Sequence, residues 1–409
     1  MINSNPQKIE ELLSRGVQEV IEKDHLKEVL MSGKKLRVKF GIDPTSPDLH
    51  LGHFIPLRKL RQFQDMGHNV ILLIGDFTAT IGDPSGRTSQ RKQLTKQEVK
   101  KNMKDYVKQA GKVLNLKKTE IRYNSEWYNK KGALFLMELS SKFTIARMIE
   151  RDDFKKRLAE DIDISVLELT YPLLQGYDSV ELKANVEIGG NDQKFNLLMG
   201  RKVQKRYGEP EQDIITLPLL EGTDGIKKMS KSYGNYIGIS EKPFDMYGKI
   251  MSIADELMWK YFNLLTDIPL LEIEELKQDK QYGKISPIDI KAKLAKEIVK
   301  IFHGEKKATK AEDQFNKTIR NKELPSDIEI FQTQKINYSV LDLLCDAKLT
   351  QSKNEAKRLV EGGAVSVKPA TVENLEDEKK ITDWRQEIKL EDGMVIQVGK
   401  RRFIKIKIK

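Results

Sequence analysis

Apolar positions recur along the chain in two rhythms. Ile9, Leu12, Leu13, Val17, Val20 and Ile21 fall on one face at helical spacing, so residues 1 to 33 read as helical. The rhythm then changes. Leu36, Val38 and Phe40 alternate with Arg37 and Lys39, which predicts a strand, and Gly41 ends its side-chain run. Val70-Ile71-Leu72-Leu73-Ile74 is unbroken, as expected of a strand covered on both faces. Glu120 to Tyr123, Val186 to Gly190 and Ile214 to Leu217 predict further short strands. Helices fall between them. Phe54, Leu57 and Leu60 mark one that starts near His50 and stops before Gly67. Thr95-Lys96-Gln97-Glu98 is a capping box that opens another, to about Leu114. Residues 132 to 160 read as consecutive helices, and Ser165-Val166-Leu167-Glu168 opens one more. Helix alternating with buried strand predicts an α/β fold with a doubly wound parallel sheet. Ligands of such sheets gather at the carboxyl ends of the strands, where Gly41 to His53 and the loop Gly75 to Ser85 both lie.

After Ser240 the chain turns to mixed-charge helices, striped by Leu257, Tyr261, Leu264 and Leu265 and then by Ile290, Leu294, Ile298 and Phe302. The division expected is a catalytic domain over 1–240 with a helical insertion near 125–165, then a helical domain over 241–322. A polar linker over 323–337, broken by Pro325, leads to a small α+β domain over 338–409. In that last segment Ser352-Lys353-Asn354-Glu355 caps a helix from which Lys353, Lys357 and Arg358 project. Gly362-Gly363 ends it. The closing stretch, Val398 to Lys409, alternates and has one basic face; it also carries Lys400, Arg401 and Arg402. A helix, a diglycine and a basic strand together suit phosphate tracking on RNA; the plainer alternative is a basic tail that adds solubility.

The chemistry concentrates in a few stretches. Asp43-Pro44-Thr45-Ser46-Pro47-Asp48 must be a turn, and it places His50 and His53 on the first turn of a helix that follows a strand. Free N–H groups and the positive end of the helix dipole suit that place to phosphate. Half a zinc site is the rival reading, but five His and one Cys, with no Cys pair and no HExxH, support it poorly. Ordinary helix-end histidines are the other. Gly222 to Asn235 is a glycine-flanked loop with Lys227, Lys228 and Lys231; such lysines can close over a polyphosphate or simply face solvent. Gly82 to Thr88 is one residue short of a P-loop and has Arg where Lys is needed, so it is rejected as one. Tyr171, Gln175 and Asp178 put a phenol, an amide and a carboxylate on one helix face, either lining a pocket or facing water. Gly189-Gly190 before Asn191-Asp192-Gln193 lets a ligand touch backbone at a helix start.

Composition narrows the partners. The 409 residues are 39% hydrophobic, enough for two or three cored domains, and a net charge of +11 favours a polyanion, nucleic acid first. A single cysteine, Cys345, excludes an internal disulfide and suits a reducing compartment. No apolar run approaches the roughly 20 residues of a membrane span, and the acidic first residues do not read as a signal peptide, so a cytoplasmic protein is expected.

Two of these stretches together carry a resemblance. His50-Leu51-Gly52-His53 matches the HIGH signature with one conservative change, and Lys228-Met229-Ser230-Lys231-Ser232 matches KMSKS in full. In that order, with a strand before the first, they resemble the class I aminoacyl-tRNA synthetases. Gly41-Ile42-Asp43-Pro44-Thr45 and Ile81-Gly82-Asp83-Pro84-Ser85 are similar to the tyrosyl branch, and the likeness runs over nearly the whole chain. It implies a Rossmann-like catalytic domain, a dimer formed through the helical insertion, and a C-terminal RNA-binding domain of the alpha-L type. It also implies activation of L-tyrosine by ATP with Mg2+, no tightly bound protein metal, and transfer to tRNA(Tyr). Thr45, His50, His53, Lys228 and Lys231 match the groups that hold the phosphates. Gly41, Asp43, Gly52, Gly190 and Asp192 match the rest of the ATP site. Asp83, Tyr171, Gln175, Asp178 and Gln193 match the amino-acid site, with Asp178 facing the substrate phenol. Lys353, Lys357, Arg358, Lys400, Arg401 and Arg402 fall to RNA. Two positions depart from the family: Lys39 stands where better-known tyrosyl enzymes carry a second phenol-reading tyrosine, and Glu187 replaces a glutamine. The alternatives are a tryptophanyl-tRNA synthetase, not expected to carry the C-terminal segment or the 171/175/178 set, and a catalytically silent RNA-binding protein on the same fold, against which the intact histidines and lysines stand.

Overall fold

The computed structural model describes residues 2–85, 94–320, 328–369, 379–399 and 402–409. Six strands form its main sheet: β1 (Glu19–Ile21), β2 (Arg37–Ile42), β3 (Asn69–Ile74), β4 (Thr119–Tyr123), β5 (Val186–Gly190) and β6 (Asp213–Leu217). Their order is β1-β6-β5-β2-β3-β4, and every pair is parallel except the edge pair β1 and β6. β3 and β6 are buried along nearly their whole length, as strands covered on both faces must be. The chain builds outward from β2 through β3 to β4, then returns to lay β5 and β6 on the other side of β2. The crevice at the carboxyl ends of β2 and β5 is therefore the switch point of the sheet.

The amino-terminal reading needs correction. Residues 1 to 33 are not one helical run: Pro6–Ser14 and Lys23–Met31 are helices, and β1 lies between them. Gly16, at φ 64, and Glu22, at φ 63, mark the two turns. Val20 and Ile21 then pair with Ile215 and Ile214 at the open sheet edge, where backbone pairing is gained and the edge is covered. The loop from Gly75 to Ser85 also contains a one-turn helix, Thr78–Ile81.

The helix opened by Thr95 has its capping box, with Thr95 Oγ1 accepting from the Glu98 N–H at 3.2 Å, but it stops at Met103 and restarts over Tyr106–Ala110. The break lets both pieces grip the turn after β2. Asn102 Nδ2 donates to the Pro44 carbonyl, and the Gln109 amide bonds the Pro47 carbonyl and the Leu49 N–H. Helices over Ala133–Ser141, Ile145–Met148 and Asp152–Ala159 follow β4, and the Ser165 box opens the long helix Val166–Glu181.

The described chain separates into two compact units, residues 1–241 with 253–290, and residues 242–252 with 291–409. The helical stretch expected over 241–322 is thus divided between them. In the second unit the polar stretch 323–337 holds a strand, Glu329–Thr333, among its described residues; 323–327 lie outside them. That strand runs parallel to Arg402–Ile408 at the end of a five-stranded sheet, so backbone pairing recruits a segment whose side chains stay mostly exposed. Val340, Leu343, Leu344, Ala356, Val360, Ile396, Ile404 and Ile406 make the core beneath that sheet. Among the described residues no helix is long and apolar enough to cross a membrane.

Candidate active site

The turn leaving β2 delivers His50 to the N-cap of the helix Leu51–Asp65 in extended conformation. Its Nδ1 accepts the Gly52 N–H at 3.2 Å, and Nδ1 of His53 accepts the His50 N–H at 3.2 Å. Each ring therefore spends its acceptor on the helix start, which leaves Nε2–H as the free donor. The ring centroids are 3.9 Å apart. Burial first, then His53 and the Lys231 and Lys228 charges, pushes His50 down to about 2; burial and Lys231 push His53 down to about 4. Both imidazoles are neutral donors at pH 7 rather than cations. A Cβ at Gly52 would come to 3.0 Å from the His50 ring and press it out of place, so bare backbone on this wall keeps the capping geometry.

The lysine loop is organised by Asn235, whose amide accepts from the Ser230 N–H at 2.8 Å and donates to Asp224 at 2.9 Å. Met229 is buried beneath it. Lys228 and Lys231 reach to the opposite wall. Lys228 Nζ lies 3.1 Å from Asp192 Oδ2, and Lys231 Nζ pairs with Asp48 Oδ2. The third lysine, Lys227, sits over the Tyr233 ring instead.

The helix Val166–Glu181 supplies a second wall. Tyr171 donates its hydroxyl to Asp43 Oδ2 at 3.0 Å. Asp178, at 2% exposure, forms the floor; it accepts from Trp127 Nε1 at 3.1 Å and Asn124 Nδ2 at 3.3 Å. Burial pushes its carboxyl up to about 7, against the pull of the Lys39 charge and of these donors. Gln193 Nε2 donates to Asp83 Oδ2 at 2.6 Å, and Asn196 holds Gln193 Oε1 at 2.9 Å. Arg151 braces Asn196 and Ser85 from behind.

Between these walls lies one cavity of about 400 Å³ at the switch point. Gly41, Asp43, Thr45, His50, Gly52, His53, Asp83, Tyr171, Gln175, Asp178, Gly190, Asp192, Gln193, Lys228 and Lys231 line it together. Sequence reasoning missed Asp48, Asn124, Trp127 and Asn196. Asn196 follows Gln193 by one helical turn, a spacing that signals a shared face; the other three carry no local signal, because each meets its partner across tens of residues of intervening chain. Among the described residues no three His, Cys, Asp or Glu side chains gather to hold a metal ion.

The basic residues of the last segment are elsewhere, in the second unit. Lys353 pairs with Asp342 at 2.6 Å, Lys357 lies over the Trp384 ring, Arg358 is exposed, and Arg402 pairs with Glu355 at 3.2 Å. Lys405 and Lys407 face outward while Ile404 and Ile406 are buried, so the closing strand does present a basic face. Lys400 and Arg401 lie outside the described residues.

A switch-point cavity with two capping imidazoles on one wall and two loop lysines on another places the chain in a known class. It belongs to the tRNA synthetases class I (W and Y), whose family model matches residues 31–320. Within that class its relatives are tyrosine–tRNA ligases. That of Thermotoga maritima is 48% identical over 98% of both chains, and that of Idiomarina loihiensis 50% identical over 97% of both. The fold is also that of a C-terminally truncated mitochondrial tyrosyl-tRNA synthetase from Aspergillus nidulans, with a TM-score of 0.64 at 24% identity over 76% of this chain and 93% of that one.

Proposed function

We propose that the chain activates L-tyrosine with ATP to tyrosyl-adenylate and diphosphate, then transfers the tyrosyl group to the terminal adenosine of tRNA(Tyr). The observation that carries this reading is Asp178: a buried carboxylate, already holding two donors, forms the floor of the cavity whose far walls hold the imidazoles and lysines. A phenol hydroxyl supplies the donor that such a floor accepts; an indole, longer and with its N–H placed differently, does not match it in the same way.

The first step needs no base, because the tyrosine carboxylate is ionised at neutral pH. Its oxygen attacks the α-phosphorus, the bond to the bridging oxygen breaks, and the electron pair leaves with diphosphate. What the protein supplies is position and charge stabilisation. Thr45 and the Nε2–H groups of His50 and His53 donate to the phosphates. Lys228 and Lys231 exchange Asp192 and Asp48 for phosphate oxygens, which frees Asp192 to hold the ribose. The adenine lies along Gly52, with Gly41, Asp43 and Gly190 completing the ATP site. Asp83, Tyr171 and Gln175 hold the substrate ammonium, and Gln193 is part of that wall. Mg2+ enters on the ATP phosphates as part of the substrate.

Diphosphate–ATP exchange measured with each of the twenty amino acids tests this. Exchange with tyrosine alone is expected; exchange with tryptophan alone, or with none, overturns it. In the same proposal residues 338–409 bind tRNA, through Lys353, Lys357, Arg358, Lys400, Arg401 and Arg402. Ending the chain after Arg320 should then leave exchange intact and weaken tRNA charging; loss of exchange would refute that division. Leu134, Met137 and Ile145 on the insertion are 67–82% exposed, an apolar surface that a second copy would cover. Sedimentation should give a dimer, and Leu134→Asp a monomer. The protein is placed in the cytoplasm, which fractionation of cells would test.

A further inference from the structure

Lys39 on β2 and Glu187 on β5 are register partners in neighbouring parallel strands, so both side chains leave the sheet on one face. They meet at 2.9 Å with side-chain exposures of 0% and 2%. Both members of the pair are fully engaged in hydrogen bonds. Lys39 Nζ also donates to Ser179 Oγ at 2.7 Å and to the Gln175 carbonyl at 3.4 Å. Glu187 accepts from Gln175 Nε2 and Ser179 Oγ at 3.2 Å each, and from Gln212 Nε2. Room for this is kept by Gly200, where a Cβ would come within 2.6 Å of Gln212 Nε2. Both charged residues line the cavity beside Gln175 and Asp178, yet the Lys39 ammonium is committed to three acceptors.

We infer that Lys39 and Glu187 form a positioning pair for the amino-acid subsite: Glu187 fixes the Gln175 amide so that its oxygen faces the substrate ammonium, and Lys39 supplies the positive potential that keeps Asp178 an acceptor for the substrate phenol. This rests on the tyrosine-activating reading above. With one N–H of Gln175 Nε2 given to Glu187, the amide is turned so that its acceptor, Oε1, is left for the substrate, which is what an ammonium requires. Asp178 has no cation of its own in contact. The titratable groups around it are Lys39 from β2, whose charge Glu187 from β5 offsets at 2.9 Å, and Tyr128 from the short helix Ser125–Tyr128, with Asp43 beyond Thr78; Asn124 and Trp127 are neutral donors. Removing the ammonium therefore disfavours the ionised carboxylate, and removing the Glu187 charge favours it.

The test is the pH dependence of kcat/KM for tyrosine in exchange, with phenylalanine as a substrate that lacks the hydroxyl. Lys39→Met should move the acid limb of the tyrosine profile up by about one pH unit, and Glu187→Gln should move it down. Glu187→Met should raise KM for tyrosine on the order of tenfold, with KM for ATP unchanged, because no oxygen is left at 187 to hold the Gln175 amide. The limb should be absent with phenylalanine. Shifts of the same sign in both variants, or no shift in Glu187→Gln, overturn the inference. Should Lys39→Met not fold, the Glu187→Gln profile decides alone, since that change keeps volume and an acceptor for Lys39. A wild-type chain that exchanges with tryptophan or with no amino acid strikes the underlying reading instead, so the two failures are distinct.

Discussion

At the mouth of the cavity the side chains of Lys228 and Lys231 are 41% and 22% exposed where they meet Asp192 and Asp48, whereas at its base those of Lys39 and Glu187 are 0% and 2% exposed. Both places pair lysine with carboxylate, twice at the mouth and once at the base, and they treat the charges differently. Water screens the outer pairs, so each contributes little and can trade its partner for a phosphate at small cost. The inner pair is out of water, and losing either member leaves a buried charge without compensation. Exchangeable ions suit a reaction in which negative charge moves; fixed ions suit a subsite that must keep one shape.

The largest expected effect breaks the outer half. Lys231→Ala should slow adenylate formation by about 10²–10³ while leaving tyrosine affinity unchanged, read from single-turnover rates and equilibrium binding. Equal loss of both would mean that the two regions are not separable. Next, Asp178→Asn should lower the preference for tyrosine over phenylalanine on the order of 10–100-fold, with KM for ATP unmoved. The same variant carries a stability signature. With the Asp178 carboxyl raised from 3.8 to about 7, the folded chain keeps a proton between those values that the unfolded chain has lost, so the stability present below 3.8 falls as pH rises across that window and is lost once pH passes 7. The thermal midpoint of Asp178→Asn relative to wild type should therefore be higher at pH 8 than at pH 5; the reverse order would contradict a buried, raised carboxyl. The smallest effect sharpens the contrast: raising salt from 0.05 to 0.5 M should increase KM for ATP a few-fold and leave KM for tyrosine nearly level, where parallel changes would erase it.

Much of this was readable from sequence because its causes are local. Capping boxes at Thr95 and Ser165 announce themselves within four residues, and the unbroken run Val70 to Ile74 announces a covered strand. Tyr171, Gln175 and Asp178 share a face by helical arithmetic alone. What could not be read depends on distant pairing. Alternation at Lys39 reads as a half-exposed strand, and only the register of β2 against β5 turns that lysine into a buried ion paired with Glu187. β1 and Glu329–Thr333 were hidden for a related reason: each is recruited by a sheet edge rather than by its own side chains.

The two imidazoles close the start of their own helix with the same rings whose outer nitrogens face the cavity. Architecture and reactivity thus share atoms but not the same edge of the ring. An asparagine at position 50 would still seal the helix mouth, since its amide oxygen is as good a cap, while the outward N–H vanished. A lineage abandoning this chemistry would meet no folding barrier at that residue, so a well-folded descendant is no proof of a working one.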